Sequence, residues 1–209
     1  MNKAKAAKIF AVLGRAYPNA HCELDHHGPF QLLAATILSA QCTDRNVNRV
    51  TPGLFKAWPT AEALATAKPA QVERCIRSLG LYRVKARNLV GMARALVRDH
   101  GGRVPRSLEA LVALPGVGRK TANVVLSNAF GMPGLAVDTH VLRVGGRLGL
   151  IATSDPVKAE ARLCALLPPD AWGRASHLLI WHGRRVCSAR KPRCLECPLR
   201  VQCPSAGKF

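Results

Sequence analysis

Four of the eight cysteines, Cys187, Cys194, Cys197 and Cys203, crowd into the C-terminal segment with the spacing C-x6-C-x2-C-x5-C. No other stretch constrains folding so tightly, because four cysteines this close in sequence suit either disulfides or one metal centre. The N-terminus, MNKAKAAKIFAVLGRAY, sets lysines before an apolar run too short for a secretory leader and lacks a small-residue cleavage site. A reducing compartment is therefore expected, and a metal centre is favoured over disulfides. A structural zinc usually shows two tight cysteine pairs, whereas only Cys194 and Cys197 are tightly spaced here. The pattern fits a [4Fe–4S] cluster held by four cysteines in one loop, Cys187 to Cys203. The scattered Cys22, Cys42, Cys75 and Cys164 read as small buried hydrophobes.

Charge narrows the partner. Lys and Arg number 31 against 12 Asp and Glu, a balance of +19. A small domain stays in solution with a net charge of roughly 2–8, so the excess points to a polyanion. Nucleic acid fits better than a membrane surface. Aromatics make up only 5% of the chain, which argues against base stacking on an RNA-binding sheet. Hydrophobic content of 48% argues against disorder. No apolar run is long enough for a membrane-spanning helix.

The apolar spacing is helical throughout, with about ten segments punctuated by Pro and Gly, so the fold class is all-α. In the first helix Ala7, Phe10, Leu13 and Ala16 fall near one face. Pro29 suits the first turn of GPFQLLAATILSAQ. Pro52-Gly53 is expected to break or kink TDRNVNRVTPGLFKAW. Thr60, Ser107 and Asp155 read as N-caps, and Gly80 as the C-cap of PAQVERCIRSLG. YRVKARNLVGMARALVRDHGG is a long amphipathic helix that ends at a glycine pair.

The segment 114-LPGVGRKTANVV-125 breaks that pattern informatively. Pro115 fixes one φ, and Gly116 and Gly118 permit a tight turn between two helices. Freed backbone N–H groups at the turn and at the new helix N-terminus suit a phosphate, and glycines let it approach closely. Such contacts hold a nucleic-acid backbone without reading sequence. The alternative is a plain helical hairpin turn. Neither a dinucleotide fingerprint nor a P-loop is present.

LPGVGRKTA resembles the helix-hairpin-helix motif of the endonuclease III family of DNA glycosylases. LLAATILSAQCTD, SLGLYRVKA, AVDTHVLRV and the terminal cysteine spacing match that family in order, over nearly the whole chain. The resemblance implies a base-excision repair enzyme, a bifunctional glycosylase and AP lyase that removes oxidised pyrimidines from duplex DNA. It places the attacking amine at Lys120, whose other reading is a phosphate-binding lysine. It places the catalytic carboxylate at Asp138, which also reads as an N-cap, while His140 reads as structural. It implies that Gln41 and Leu81, with Leu79 as a helper, fill the gap left by an extruded nucleotide. The basic spacer SARKPR would set Arg190, Lys191 and Arg193 on DNA phosphates from a loop anchored by the [4Fe–4S] cluster.

Two lobes follow from the same resemblance. Residues 22–132 would form a six-helix barrel-type domain that ends in the helix-hairpin-helix at 107–130. Residues 1–21 and 133–209 would form the cluster domain, with the cluster loop at 187–203. Lys120 and Asp138 would face the cleft between the lobes. A monomer acting on damaged double-stranded DNA in the bacterial cytoplasm, at the nucleoid, is expected. A mismatch or adenine glycosylase is the sister reading; Lys120 and the short stretch after Cys203 speak against it. A non-catalytic DNA-binding module would need neither Lys120 nor Asp138. The Pro52 segment departs from the continuous helix expected in the family, and a change there would reach the Gln41 loop.

Overall fold

A computed structural model describes residues 2–208, and every regular element among them is helical. The chain divides into two compact units, one formed by Glu23–Gly131 and the other by the stretches on either side of it.

The Glu23–Gly131 unit is built around α2 (Gly28–Leu38), whose residues from Leu32 to Leu38 are all buried. A helix apolar all round must be enclosed, and α3 (Asp44–Ala57), α6 (Tyr82–His100) and α8 (Arg119–Phe130) pack against it. The one polar group in that run is satisfied locally, since the Thr36 hydroxyl donates to the Leu32 carbonyl at 2.7 Å. Short helices α4 (Ala61–Ala65) and α5 (Pro69–Cys75) brace α6, and α7 (Leu108–Val112) precedes α8. Thr60 and Ser107 cap α4 and α7 through their side chains, as their sequence positions indicate.

Two expectations fail in this unit. The break at Pro52 does not occur, and α3 runs through it to Ala57. Proline forfeits one backbone bond and keeps a helical φ. Here Val47, Val50, Thr51 and Leu54 still bury one face, while Pro52 and Gly53 face solvent. Nor does α5 reach Gly80. It ends at Cys75, and the next residues turn so that Ile76 and Leu79 plug the core. Leu79 is thus a core residue, which removes it as a helper at the DNA.

The other unit has α1 (Lys3–Ala16), α9 (Thr139–Arg147), α10 (Pro156–Leu166) and α11 (Trp172–Arg185), with single 3-10 turns at Pro169–Ala171 and Cys194–Glu196. Its core joins Ile9 and Leu13 to Val141, Val144, Leu163, Leu178 and Leu179. The buried face of α1 is Ala6, Ile9 and Leu13. Leu13 lies on the buried face as expected, but Ala7 and Ala16 are exposed and Phe10 is half-buried. Asp155 caps α10 by accepting from the Val157 and Lys158 N–H groups. Cys22, Cys42, Cys75 and Cys164 are half-buried thiols, not the enclosed hydrophobes expected.

Candidate functional site

The turn between α7 and α8 uses its two glycines differently. Gly116 has φ +77°, a conformation that L side chains resist. Gly118 is the N-cap of α8 with extended backbone and needs no such freedom. A Cβ there would meet nothing within 4 Å, so its outer side is open. No side chain caps α8, which leaves its N-terminal field and amides to an outside anion. Lys120 stands in the first turn of that helix and is exposed. Its amine makes no hydrogen bond or ion pair with another described residue.

In the other unit Asp138 is the N-cap of α9. Its Oδ1 accepts from the Val141 N–H at 2.9 Å, so the carboxylate is aimed by the helix it caps while its second oxygen makes no bond to a described residue. Further along the same helix, two arginines hold the cysteine loop. Arg143 donates through Nε to the Cys187 carbonyl at 3.0 Å, and through Nη2 to the Gly183 carbonyl at 3.0 Å. Arg147 donates to the Cys187 Sγ at 3.3 Å, the Ser188 carbonyl at 2.7 Å and the Ala189 carbonyl at 3.0 Å. His140 Nδ1 lies 3.0 Å from Arg143 Nη2. The two arginines escaped sequence reasoning, although their i, i+4 spacing on a helix next to the cysteine segment was a usable signal.

Cys187, Cys194, Cys197 and Cys203 line one small cavity, partly open to solvent, together with Arg147 and His182. All four are free thiols. Burial pushes the Cys197 thiol above its ordinary value, and repulsion from Cys187, Cys203 and Cys194 adds to that. Four thiolates in this pocket therefore need a cationic group among them. Two donors already point at the sulfurs, the Leu199 N–H to Cys197 at 3.4 Å and Arg147 to Cys187. His182 stands 3.6 Å from the Cys197 Sγ and 2.9 Å from the Tyr17 hydroxyl. Burial lowers its pKa to about 4, so the ring is neutral and can give one N–H to sulfur while accepting from Tyr17. A single zinc ion would need the sulfurs about 3.8 Å apart, set by Zn–S bonds of roughly 2.3 Å. Among the described residues no three His, Cys, Asp or Glu side chains converge closely enough for one ion.

Of the basic spacer, Arg190 and Lys191 are exposed, with Lys191 at φ +51°. The Ser188 hydroxyl ties the loop by donating to the Arg190 carbonyl at 2.7 Å. Arg193 is exposed as well, and it pairs with Glu196 at 3.1 Å and donates to the Arg185 carbonyl. In the other unit, Gln41 and Leu81 share a property that sequence did not reveal. Both hold left-handed backbone, at φ +54° and +59°, and Leu81 is 55% exposed.

Among the described residues, helices joined by a glycine hairpin, with a loop that brings four cysteines to one cavity, define a helix-hairpin-helix protein. Residues 34–169 match the HhH-GPD superfamily of base excision DNA repair proteins. Endonuclease III of Synechocystis sp. is 51% identical over 205 residues, 98% of this chain and 94% of that protein. Endonuclease III of Bacillus subtilis is 47% identical, over 94% of this chain and 90% of that protein. A solved structure of a trapped endonuclease III–DNA covalent intermediate superposes with a TM-score of 0.95 at 44% identity, covering 100% of this chain and 98% of that one. The chain belongs to the endonuclease III family.

Proposed function

We propose that the protein is a base-excision repair DNA glycosylase and AP lyase acting on oxidised pyrimidines in duplex DNA, with Lys120 as nucleophile. The observation that carries this reading is the full-length likeness to an endonuclease III trapped in a covalent intermediate with DNA, together with an exposed amine at the α8 N-terminus that has no partner among the described residues. A covalent intermediate demands a nucleophile, and Lys120 is the residue we assign to that role. The non-catalytic and monofunctional readings are disfavoured, since neither uses that amine.

The Lys120 Nζ forms a bond to the sugar C1′ as the bond from C1′ to the base breaks and the base departs with a proton. The sugar ring then opens to a Schiff base on Lys120. Loss of a C2′ proton breaks the C3′–O bond, and the strand is cut by β-elimination. Asp138 is the carboxylate that stabilises positive charge on the sugar and handles the proton. Gly116 and Gly118 bring a phosphate to the α8 amides. Gln41 and Leu81 fill the gap in the stack, whose opening costs a few kcal/mol. Arg190 and Lys191 add contacts to the DNA backbone.

Cys187, Cys194, Cys197 and Cys203 fit a [4Fe–4S] cluster, because one cavity gathers four free thiols with donors aimed at their sulfurs. When bound, the cluster supplies a rigid cross-link for the loop. The excision steps run on Lys120 and Asp138.

Incubation with DNA carrying an abasic site, followed by borohydride, tests the reading. A protein–DNA adduct that disappears in Lys120→Ala is expected; absence of any adduct with the wild type sinks it. Iron and inorganic sulfide in the purified protein are expected, and zinc in their place overturns the cluster assignment.

A further inference from the structure

Lys85 is an unusual group to find enclosed. It is 3% exposed, and lysine is almost never buried without a partner. Its Nζ donates to the Cys42 Sγ at 2.9 Å, across a sequence separation of 43 residues. Neither Lys85 nor Cys42 has another side-chain partner among the described residues. An ammonium has three donors, so this one is placed at some cost against a weak acceptor.

The position of the pair gives it a meaning. Cys42 follows Gln41 directly in the chain. The Lys85 backbone N–H donates to the Leu81 carbonyl at 3.0 Å, in the first turn of α6. One residue thus grips Leu81 through its backbone and the neighbour of Gln41 through its side chain. Gln41 and Leu81 are two of the three described non-glycine residues with positive φ. Such conformations persist only where the surroundings enforce them. No acidic residue stands in the first turn of α6 and no side chain caps it, so local capping does not hold Leu81 in place.

We propose that Lys85 and Cys42 are positioning residues, a buried tether that keeps Gln41 and Leu81 in their left-handed conformations so that both are ready to enter the base stack. This rests on the function proposed above, in which those two side chains fill the opened duplex. The tether acts when the nucleotide leaves the helix and has no part in the bond changes at the sugar.

The test uses the full chain with its cluster and a duplex in which one oxidised pyrimidine lies beside 2-aminopurine, whose fluorescence rises as the stack opens. Replacing both partners, Lys85→Met with Cys42→Val, avoids stranding a buried charge. The double variant is expected to open the duplex and release the base about tenfold more slowly, in line with the cost of a misplaced positioning group. Borohydride trapping on a single-stranded abasic oligonucleotide, where there is no stack to open, should fall by less than about twofold. Cys42→Ser keeps an acceptor and should open DNA faster than Cys42→Val. Opening at the wild-type rate in the double variant overturns the inference. So does an equal loss on single-stranded and duplex substrates, which marks a general structural defect. No adduct from the wild type on any substrate overturns the proposed function and this inference with it. An adduct with unaltered opening overturns the inference alone.

Discussion

Gly116 packs so closely on Asn88 that a Cβ added to it would lie 2.7 Å from the Asn88 Cβ. The turn is thus fixed from inside the protein at one glycine and left open to the outside at the other. Gly116→Ala meets both this overlap and a φ of +77°, and is expected to destabilise the protein by about 2–3 kcal/mol. Gly118→Ala meets no atom and should cost only about 0.5 kcal/mol as a lost N-cap glycine, yet weaken DNA binding by crowding the phosphate. Thermal unfolding and a binding titration on both variants separate the two roles. Equal effects on stability would contradict the division.

Asp138 combines a cap with a proposed catalytic charge, and chemistry can pull them apart. Asn caps as well as Asp, so Asp138→Asn should leave stability within about 0.5 kcal/mol while base release falls by about 10²–10⁴-fold. Asp138→Ala should lose the activity and about 1 kcal/mol of stability as well. Single-turnover base release alongside denaturant melts reads both quantities.

Binding should be strongly salt-dependent, given the net charge of +19 and the phosphate contacts proposed for the hairpin and the basic spacer. Removing Arg190 or Lys191 by alanine should each lower the slope of log K against log salt by about 0.9. Lys191→Gly removes the same charge but relieves φ +51°, so it should lose the phosphate contact without losing stability. Arg193→Ala should change the slope least, since that guanidinium is engaged with Glu196 and the Arg185 carbonyl.

Arg147 donates to the Cys187 Sγ and to the Ser188 and Ala189 carbonyls of the loop. Replacing it with leucine should speed loss of iron to a chelator by about 10–100-fold, the usual cost of removing an outer partner of a metal ligand. Iron per chain over time is the measurement, and an unchanged rate would remove Arg147 from the support of the proposed cluster.

Local chemistry was readable in the sequence. The spacing of Cys187, Cys194, Cys197 and Cys203, the caps at Thr60, Ser107, Asp138 and Asp155, and the glycine turn all involve residues within a few positions of one another. What escaped depends on distant parts of the chain. Pro52 stays inside a helix because Val47 and Leu54 on its far side are buried. The end of α5 moves to Cys75 because Ile76 and Leu79 are drawn into the core. Exposure divided Leu79 from Leu81, which sequence had grouped together. The contact of Lys85 with Cys42, and the backbone conformations of Gln41 and Leu81, carry no local signature.

The helix from Thr139 to Arg147 has nine residues. Its front end aims the Asp138 carboxylate, and its back end grips the cysteine loop through Arg143 and Arg147. Inserting one residue between them would turn everything downstream by about 100° and swing both guanidiniums off the loop. Point changes on the outer surface of this helix are tolerable, but a change of register is not. The length of that segment is therefore under tighter restraint than most of its letters, and an alignment gap there would mark a descendant that has given up one end or the other.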